Sequence, residues 1–378
     1  MADPPRPSTR RRFLAALGTA SSVGLAGCSS VLPGPSGGQD GPSDTNGTNG
    51  TNATNRTNGS ADVNATGRSV DNPYARVYRG SVEGVVLVQR GGGQGSGFVY
   101  DGAGHVVTNA HVVGRASAVN VQFSRDDWRA GRVLGRDRFT DLAVVAVEDS
   151  PAYAKPLPMA DSMPPIGLEV VALGNPYGLE GAISAGIVSG TNRYLPARTG
   201  VSVPAAIQTD APINPGNSGG PLVALDGRVV AVVYAGGGEN IAFGISAPLV
   251  RRVVPALIED GRYRNPYLGV RLAEVGPPTA RANDLAEPRG VLVIATFRGS
   301  PAAGRLRESD RRVTVRGVPV PVGGDVIVGV DGRPVSSVAT LRSYLALETS
   351  PGERASLAVL RGGEERTVEV TVGARPSR

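Results

Sequence analysis

Residues Gln208-Thr209-Asp210-Ala211-Pro212-Ile213-Asn214-Pro215-Gly216-Asn217-Ser218-Gly219-Gly220-Pro221-Leu222 set a serine, Ser218, within a run of glycines. Those glycines let a substrate backbone come close and let the loop's own N–H groups converge on one point. A serine hydroxyl is a weak nucleophile on its own and needs a neighbouring base. The whole chain has two histidines, His105 and His111, so each candidate base can be weighed individually.

His111 lies in Thr108-Asn109-Ala110-His111-Val112-Val113, at the end of an alternating, strand-like run. A chain leaving a sheet edge there can hold an imidazole beside a cleft. Downstream, Thr140-Asp141-Leu142-Ala143-Val144-Val145 places a carboxylate at the start of an apolar run. Asp141 would fix the imidazole tautomer and stabilise the imidazolium while His111 takes the Ser218 proton. His105 shares the strand but lacks the following turn, and reads as an exposed or packed strand residue. Taken singly, the pieces have plainer readings: a tight turn, a structural histidine, a turn or cap aspartate. In the order His, Asp, Ser, with gaps that only a large fold closes, they read as a catalytic triad.

These three blocks resemble the active-site blocks of the HtrA/Deg serine proteases, and Gly95-Ser96-Gly97-Phe98 and Gly174-Asn175-Pro176-Tyr177-Gly178 agree with the family's supporting blocks. The resemblance runs from roughly residue 70 to the C-terminus and implies a mainly β fold, a chymotrypsin-like double β-barrel followed by a PDZ domain of small α+β type. It implies an oxyanion hole in the loop Gly216-Asn217-Ser218, through the backbone N–H groups of Gly216 and Ser218. It also implies that Ile213 helps line a specificity pocket suited to small or medium aliphatic residues, and that the family's trimer is the expected assembly.

Residues beyond about 70 make two stretches of ordinary domain size, 70–262 and 263–375, each long enough to bury a core. Short Val-rich runs such as Gly84 to Gln89, His105 to Thr108 and Val229 to Val233 alternate with Gly, Asp and Asn turns, the spacing of an all-β barrel rather than of βαβ units. Residues 247–260 carry helical spacing of apolar positions and end at Gly261, with Pro255 expected to kink or break the helix.

Beyond that helix, Tyr267-Leu268-Gly269-Val270, Gly299-Ser300-Pro301-Ala302-Ala303-Gly304 and Gly324-Asp325-Val326-Ile327-Val328-Gly329-Val330-Asp331-Gly332 resemble PDZ landmarks. In such domains a peptide C-terminus adds as a strand beside the Gly269-Val270 edge, with its carboxylate on loop N–H groups. Ser337 to Leu347, with Val338, Leu341, Tyr344 and Leu345, has the spacing for the opposite helical wall. The sequence departs from the family where Glu308 to Val322 replaces a short turn with an extra strand-like segment. Thr191 to Pro204 reads as an insertion placed to sense the PDZ domain or a neighbouring subunit.

The first 27 residues read as a targeting segment. Thr9-Arg10-Arg11-Arg12-Phe13-Leu14 fits a twin-arginine address, and the apolar stretch to Gly27 is too short to span a bilayer. Leu25-Ala26-Gly27-Cys28 resembles a lipoprotein processing box, and Cys28, the sole cysteine, is the expected lipidation site; one thiol makes no internal disulfide. Residues 28–69 are rich in Asn, Thr and Gly and cannot repay the entropy of folding. Such a linker of roughly forty residues spans on the order of 35 Å. Asn46, Asn49, Asn52, Asn55, Asn58 and Asn64 each begin a glycosylation sequon, or belong to a repeat-expanded spacer.

The net charge of +6 includes +3 from Arg6, Arg10, Arg11 and Arg12 against Asp3. Basic residues are scattered, Lys155 is the only lysine, and no zinc-finger, RRM or helix-turn-helix signature argues for a nucleic-acid partner. Two histidines and one cysteine are too few ligands for an ordinary zinc site, and no cofactor is expected. The sequence reads as an exported serine endopeptidase on the outer face of the membrane, held by a lipid anchor. It would cut unfolded polypeptides and bind peptide C-termini at the PDZ domain as a homotrimer or larger assembly. The alternatives are a chaperone or peptide-binding scaffold with a vestigial triad, and an extracellular PDZ adaptor.

Overall fold

The computed structural model of the protein describes residues 72–175, 182–195, 202–238 and 240–376. The leader, Cys28 and the linker therefore lie outside the described residues, as do Pro176 to Gly178 and residues 196–201 of the Thr191–Pro204 insertion.

Helix α1 (Pro73–Ser81) opens the described chain; the Asn72 side chain accepts the Tyr74 N–H, and proline stands at the helix start, where its missing N–H costs nothing. Six strands then close a barrel: β1 (Val85–Arg90), β2 (Gly93–Val99), β3 (His105–Asn109), β4 (Ala118–Phe123), β5 (Asp127–Asp137) and β6 (Leu142–Ala146). The one-turn helix α2 (Ala110–Val113) follows β3 directly. A second closed barrel holds β7 (Glu169–Gly174), β8 (Ala182–Leu195), β9 (Val203–Thr209), β10 (Pro221–Ala224), β11 (Val229–Gly238) and β12 (Ile241–Ser246).

The valine runs are continuous because the strands bury both faces. Val86 and Val88 point into the first barrel's interior, whereas Val85 joins the core shared with the second barrel and helix α3 (Ala247–Glu259). That shared core includes Phe98, Leu142, Leu173, Ile245 and Leu249, all nearly inaccessible. Each fully buried Val or Leu contributes about 1.5–3 kcal/mol, so this layer holds the two barrels face to face. Helix α3 runs unbroken through Pro255, which sits on its exposed side, so no break occurs at the position where the sequence offers one.

The C-terminal region forms its own sheet, in the order β14 (Val270–Glu274), β15 (Val291–Thr296), β18 (Val326–Val330), β20 (Arg354–Arg361), β21 (Glu364–Thr371), with β19 (Arg333–Pro334) beside β18. A two-residue pair, β13 (Pro266–Tyr267) with β22 (Gly373–Ala374), closes its base. Helices α4 (Pro277–Ala282) and α5 (Val338–Glu348) flank the sheet. Within Glu308 to Val322 lies a separate hairpin, β16 (Arg311–Val315) with β17 (Val318–Val322). Its turn residues, Arg316 and Gly317, both have positive φ, as a two-residue hairpin turn requires. Pro319 and Pro321, two apart, put their missing N–H groups on one edge of β17, the side away from β16.

Helix α5 buries two faces. Leu341 and Leu345 pack into the C-terminal core, while Ala346 joins the core of the barrels. The Ser343 hydroxyl accepts the Ala205 N–H at 3.1 Å. From α3, Arg252 donates to the carbonyls of Leu347 and Thr349 and to Ser350 Oγ, filling the orphan acceptors at the end of α5.

Candidate active site

Asp141 adopts a left-handed backbone, φ 56°, where β5 turns into β6. Short polar side chains tolerate that conformation, and here it turns both the carbonyl and the carboxylate of Asp141 onto the end of β3. The Asp141 carbonyl accepts the Ala110 N–H at 2.9 Å and the Asn109 amide at 3.1 Å. Its Oδ1 accepts the His111 N–H at 3.0 Å, and its Oδ2 lies 2.6 Å from His111 Nδ1. One residue thus fixes the backbone of the α2 turn and the tilt of the imidazole that the turn carries. Asp141 is buried, while His111 keeps a quarter of its side chain exposed, the division that a base facing a cleft requires.

Ser218 arrives from the second barrel, three residues before β10. Its carbonyl accepts the Ser96 N–H from the first barrel at 2.8 Å, and Gly219 and Val233 exchange backbone bonds with their neighbours on the far side. The Ser218 hydroxyl donates to the Tyr234 carbonyl at 2.7 Å. The Tyr234 ring stands edge-on to the His111 ring with centroids 5.8 Å apart, so Tyr234 touches Ser218 through its carbonyl and His111 through its ring.

Gly216 has φ 103° at the third position of a turn closed by Asn217 N–H to Asn214 O, 3.1 Å. Proline second and glycine third with positive φ mark a type II turn. The N–H groups of Gly216 and Ser218 have no acceptor among the described residues, so both donors are free for an oxygen in the cleft. Asn217 is buried beneath the turn with its Oδ1 unpartnered. Ile213, three residues before Gly216, packs with Leu168 and Met163 on the second barrel's core.

The contacts that the supporting blocks make around this site are not readable from their sequence. Ser96 is fully buried; its Oγ donates to Gly216 O at 2.7 Å and accepts the Asn175 N–H at 2.9 Å. Thr108 Oγ1 donates to Ser96 O at 2.6 Å. Space is tight: a Cβ on Gly219 would stand 2.1 Å from Ser96 O, and one on Gly95 2.8 Å from Ser218 O. His105 stands outside the cluster, with Nδ1 2.6 Å from Asp101 Oδ2 in the β2–β3 turn. Tyr267, Leu268, Gly269 and Val270 line a separate groove beside α5. Among the described residues no cluster of side chains could hold a metal ion, and no helix is long and apolar enough to cross a membrane.

Two six-stranded barrels with a His–Asp pair on one and a glycine-framed serine on the other define a chymotrypsin-like serine protease fold, here joined to a PDZ domain. Residues 95–232 match the Trypsin-like peptidase domain family and residues 266–372 the PDZ domain family. A probable periplasmic serine endoprotease DegP-like of Hahella chejuensis is 35% identical over 288 residues, covering 75% of this chain and 57% of that protein. Protease Do-like 8, chloroplastic, of Arabidopsis thaliana is 32% identical over 329 residues, covering 82% of this chain and 71% of that one. The solved structure of the HtrA-type protease AlgW with tripeptide superposes with a TM-score of 0.63 at 29% identity, over 81% of this chain and 98% of that one. The chain belongs to the HtrA/Deg family. It spans somewhat over half the length of the DegP-like relatives it matches.

Proposed function

We propose that the protein is an exported serine endopeptidase that cleaves unfolded or damaged polypeptides through His111, Asp141 and Ser218. The observation that carries this reading is the Asp141–His111 pair, with its 2.6 Å bond, set at the same tyrosine as the serine. In the reaction Ser218 exchanges its bond to the Tyr234 carbonyl for one to His111 Nε2. His111 takes the proton as Oγ attacks the substrate carbonyl, and the Gly216 and Ser218 N–H groups receive the oxyanion. The imidazolium, steadied by Asp141, protonates the leaving amine, and water then hydrolyses the acyl-enzyme by the same proton route. The packing of Ile213 supports its part in a pocket for aliphatic residues.

The relatives' periplasmic naming supports export. The twin-arginine-like leader and the Leu25–Cys28 box support a lipid anchor at Cys28, with the linker as tether. The trimer rests on family membership alone. Regulation through the PDZ domain is supported by two contacts of the Thr191–Pro204 region and its border, Tyr194 under Arg342 and Ala205 on Ser343. It is also supported by the solved structures of AlgW with a decapeptide and with a tripeptide. The intact Asp141–His111 pair and the glycine-framed Ser218 favour a protease over a vestigial scaffold.

Labelling with a fluorophosphonate and digestion of casein, by wild type and by Ser218→Ala, test the assignment. The wild type labels and digests, and the variant does neither. Equal digestion by both removes Ser218 as nucleophile. Deleting the PDZ domain tests the regulatory part, and unchanged cleavage with and without peptides rejects it.

A further inference from the structure

The β16–β17 hairpin carries charge and an exposed apolar tip that neither the catalytic cluster nor the groove beside α5 uses. The face it turns to the domain is apolar: Val320 and Val322 are buried, and Val313 and Val315 are half-buried. Asn283, at the end of α4, fixes its base by donating to Pro321 O at 3.2 Å and accepting the Gly323 N–H at 3.1 Å. That face runs out before the turn. Alternate residues of a strand share one side, and along β17 exposure rises from 2% at Val322 and 3% at Val320 to 54% at Val318. The tip therefore overhangs the body of the domain.

The opposite face and the tip are basic. Arg312 and Thr314 are exposed there beside Pro319, and Arg316, with φ 51°, stands at the turn two residues from Val318. At the root, Asp310 is shared by Arg307 and Arg311, at 3.8 and 3.2 Å. No carboxylate lies within ion-pair distance of Arg312 or Arg316 among the described residues. Charge is also lopsided across the domain. Residues 277–322 hold eight arginines against four carboxylates, whereas residues 323–376 hold six against seven. The hairpin's root is bonded to β15, through Ser309 N–H to Val293 O at 3.0 Å, while β21, the far end strand of the sheet, exposes Glu364, Glu365 and Glu369. Such a charge distribution turns the hairpin toward an anionic surface and β21 away from it.

The shape of the hairpin selects among anionic partners. Pro319 and Pro321 leave the outer edge of β17 without N–H donors at those positions, so a partner chain gains little by adding there as a strand. A projecting turn with guanidinium groups around one exposed valine instead fits a lipid surface, where arginine meets phosphate and the apolar side chain reaches the acyl boundary. Such a surface is close at hand on the reading that Cys28 is lipidated, since the linker spans on the order of 35 Å. At the effective concentration that a tether imposes, a contact of a few arginines suffices.

We propose that the β16–β17 hairpin is a second membrane contact, in which Arg312 and Arg316 take the phosphate groups of an anionic lipid surface and Val318 enters between the headgroups. The proposal goes beyond the protease reading, and it draws on the lipid-anchor reading only for the nearness of the surface. Docking of the tip lays the C-terminal domain against the membrane with the β21 carboxylates facing outward.

The test removes the sole cysteine by C28S, so that no lipid is attached, and V318C then supplies a single thiol for an NBD label on the full chain. T367C, on β21, carries the same label as a control. Vesicles of equal parts phosphatidylglycerol and phosphatidylcholine are titrated in, beside vesicles of phosphatidylcholine alone. The label at position 318 is expected to brighten and shift to the blue with the anionic vesicles only, and the label at 367 to stay unchanged. R312Q/R316Q is expected to raise the lipid concentration at the midpoint about 25-fold, about fivefold for each arginine lost near an anionic surface. R312K/R316K keeps the charge and is expected to retain the response; its loss would mean that folding rather than charge is being read, and overturns the proposal. About 1 M salt, which shortens the screening length to about 3 Å, is expected to abolish the response. No response at 318, equal responses at 318 and 367, or a wild-type midpoint in R312Q/R316Q each overturns the hairpin contact. Mass spectrometry of the mature N-terminus tests the anchor at Cys28 separately, so either reading can fail without the other.

Discussion

The Ser96 hydroxyl donates to the Gly216 carbonyl at 2.7 Å while accepting the Asn175 N–H, so one buried side chain from the first barrel sets the backbone of the Asn214–Asn217 turn on the second. In the proposed mechanism Ser96 is a positioning residue. Ser96→Ala leaves the Gly216 carbonyl and the Asn175 N–H without their partner, a loss of about 1–3 kcal/mol. The expected outcome is a fall in kcat of about 10- to 100-fold with KM nearly unchanged, because the turn matters most when negative charge develops. Steady-state kinetics on a chromogenic peptide ester checks it, and an increase confined to KM would contradict the role.

Asp141→Asn preserves the left-handed backbone, which Asn tolerates, and keeps an oxygen for the His111 N–H. It removes only the charge and the tautomer preference at Nδ1. The variant is expected to lose about 10⁴-fold in kcat while melting close to wild type. Calorimetry beside kinetics separates the two; a large drop in Tm would mean that the aspartate serves the fold more than the imidazole.

Arg252→Leu keeps most of the stem that packs against α5 and removes the donors to the Leu347 and Thr349 carbonyls. The end of α5 then loses its cap and a favourable cation, about 1.5–3 kcal/mol of domain docking. Hydrogen exchange should quicken along α5 and at Ala205 while the first barrel stays protected. Uniform exchange across both domains would contradict this.

Tyr344 donates to Asp331 Oδ2 at 2.8 Å, and burial together with that carboxylate pushes its phenol up to about 12. A phenol with a raised folded pKa contributes stability that is complete below about pH 10, the unfolded value, and is lost as pH climbs through the folded value. Denaturant titrations are expected to show stability falling between pH 10 and about 12, with Tyr344→Phe flatter across that window. Parallel curves for the two proteins would remove Tyr344 from the alkaline transition.

Much of this is legible in the sequence because the chemistry needs particular residues in short strings. Ser218 among glycines, His111 after a strand and Asp141 before one are local patterns, and the valine runs between turns imply barrels. What is not legible arises from contacts between distant segments. Ser96 is a small residue beside glycines, and only the fold brings its hydroxyl to Gly216, 120 positions away. The Ser218 rotamer depends on a carbonyl from β11, and the second buried face of α5, with Ser343 and Ala346, has no strong apolar period to betray it. Arg342 and Arg375 look like any surface arginines until Tyr194, Phe139 and Tyr267 are seen beneath them.

The prolines of the β16–β17 hairpin bear on how such a molecule survives its surroundings. With Pro319 and Pro321 on the outward side of β17, that border cannot template a further strand. For a protein proposed to work among unravelled chains, each of them searching for a partner, a proline-sealed border keeps the hairpin from seeding fibrillar growth from that side.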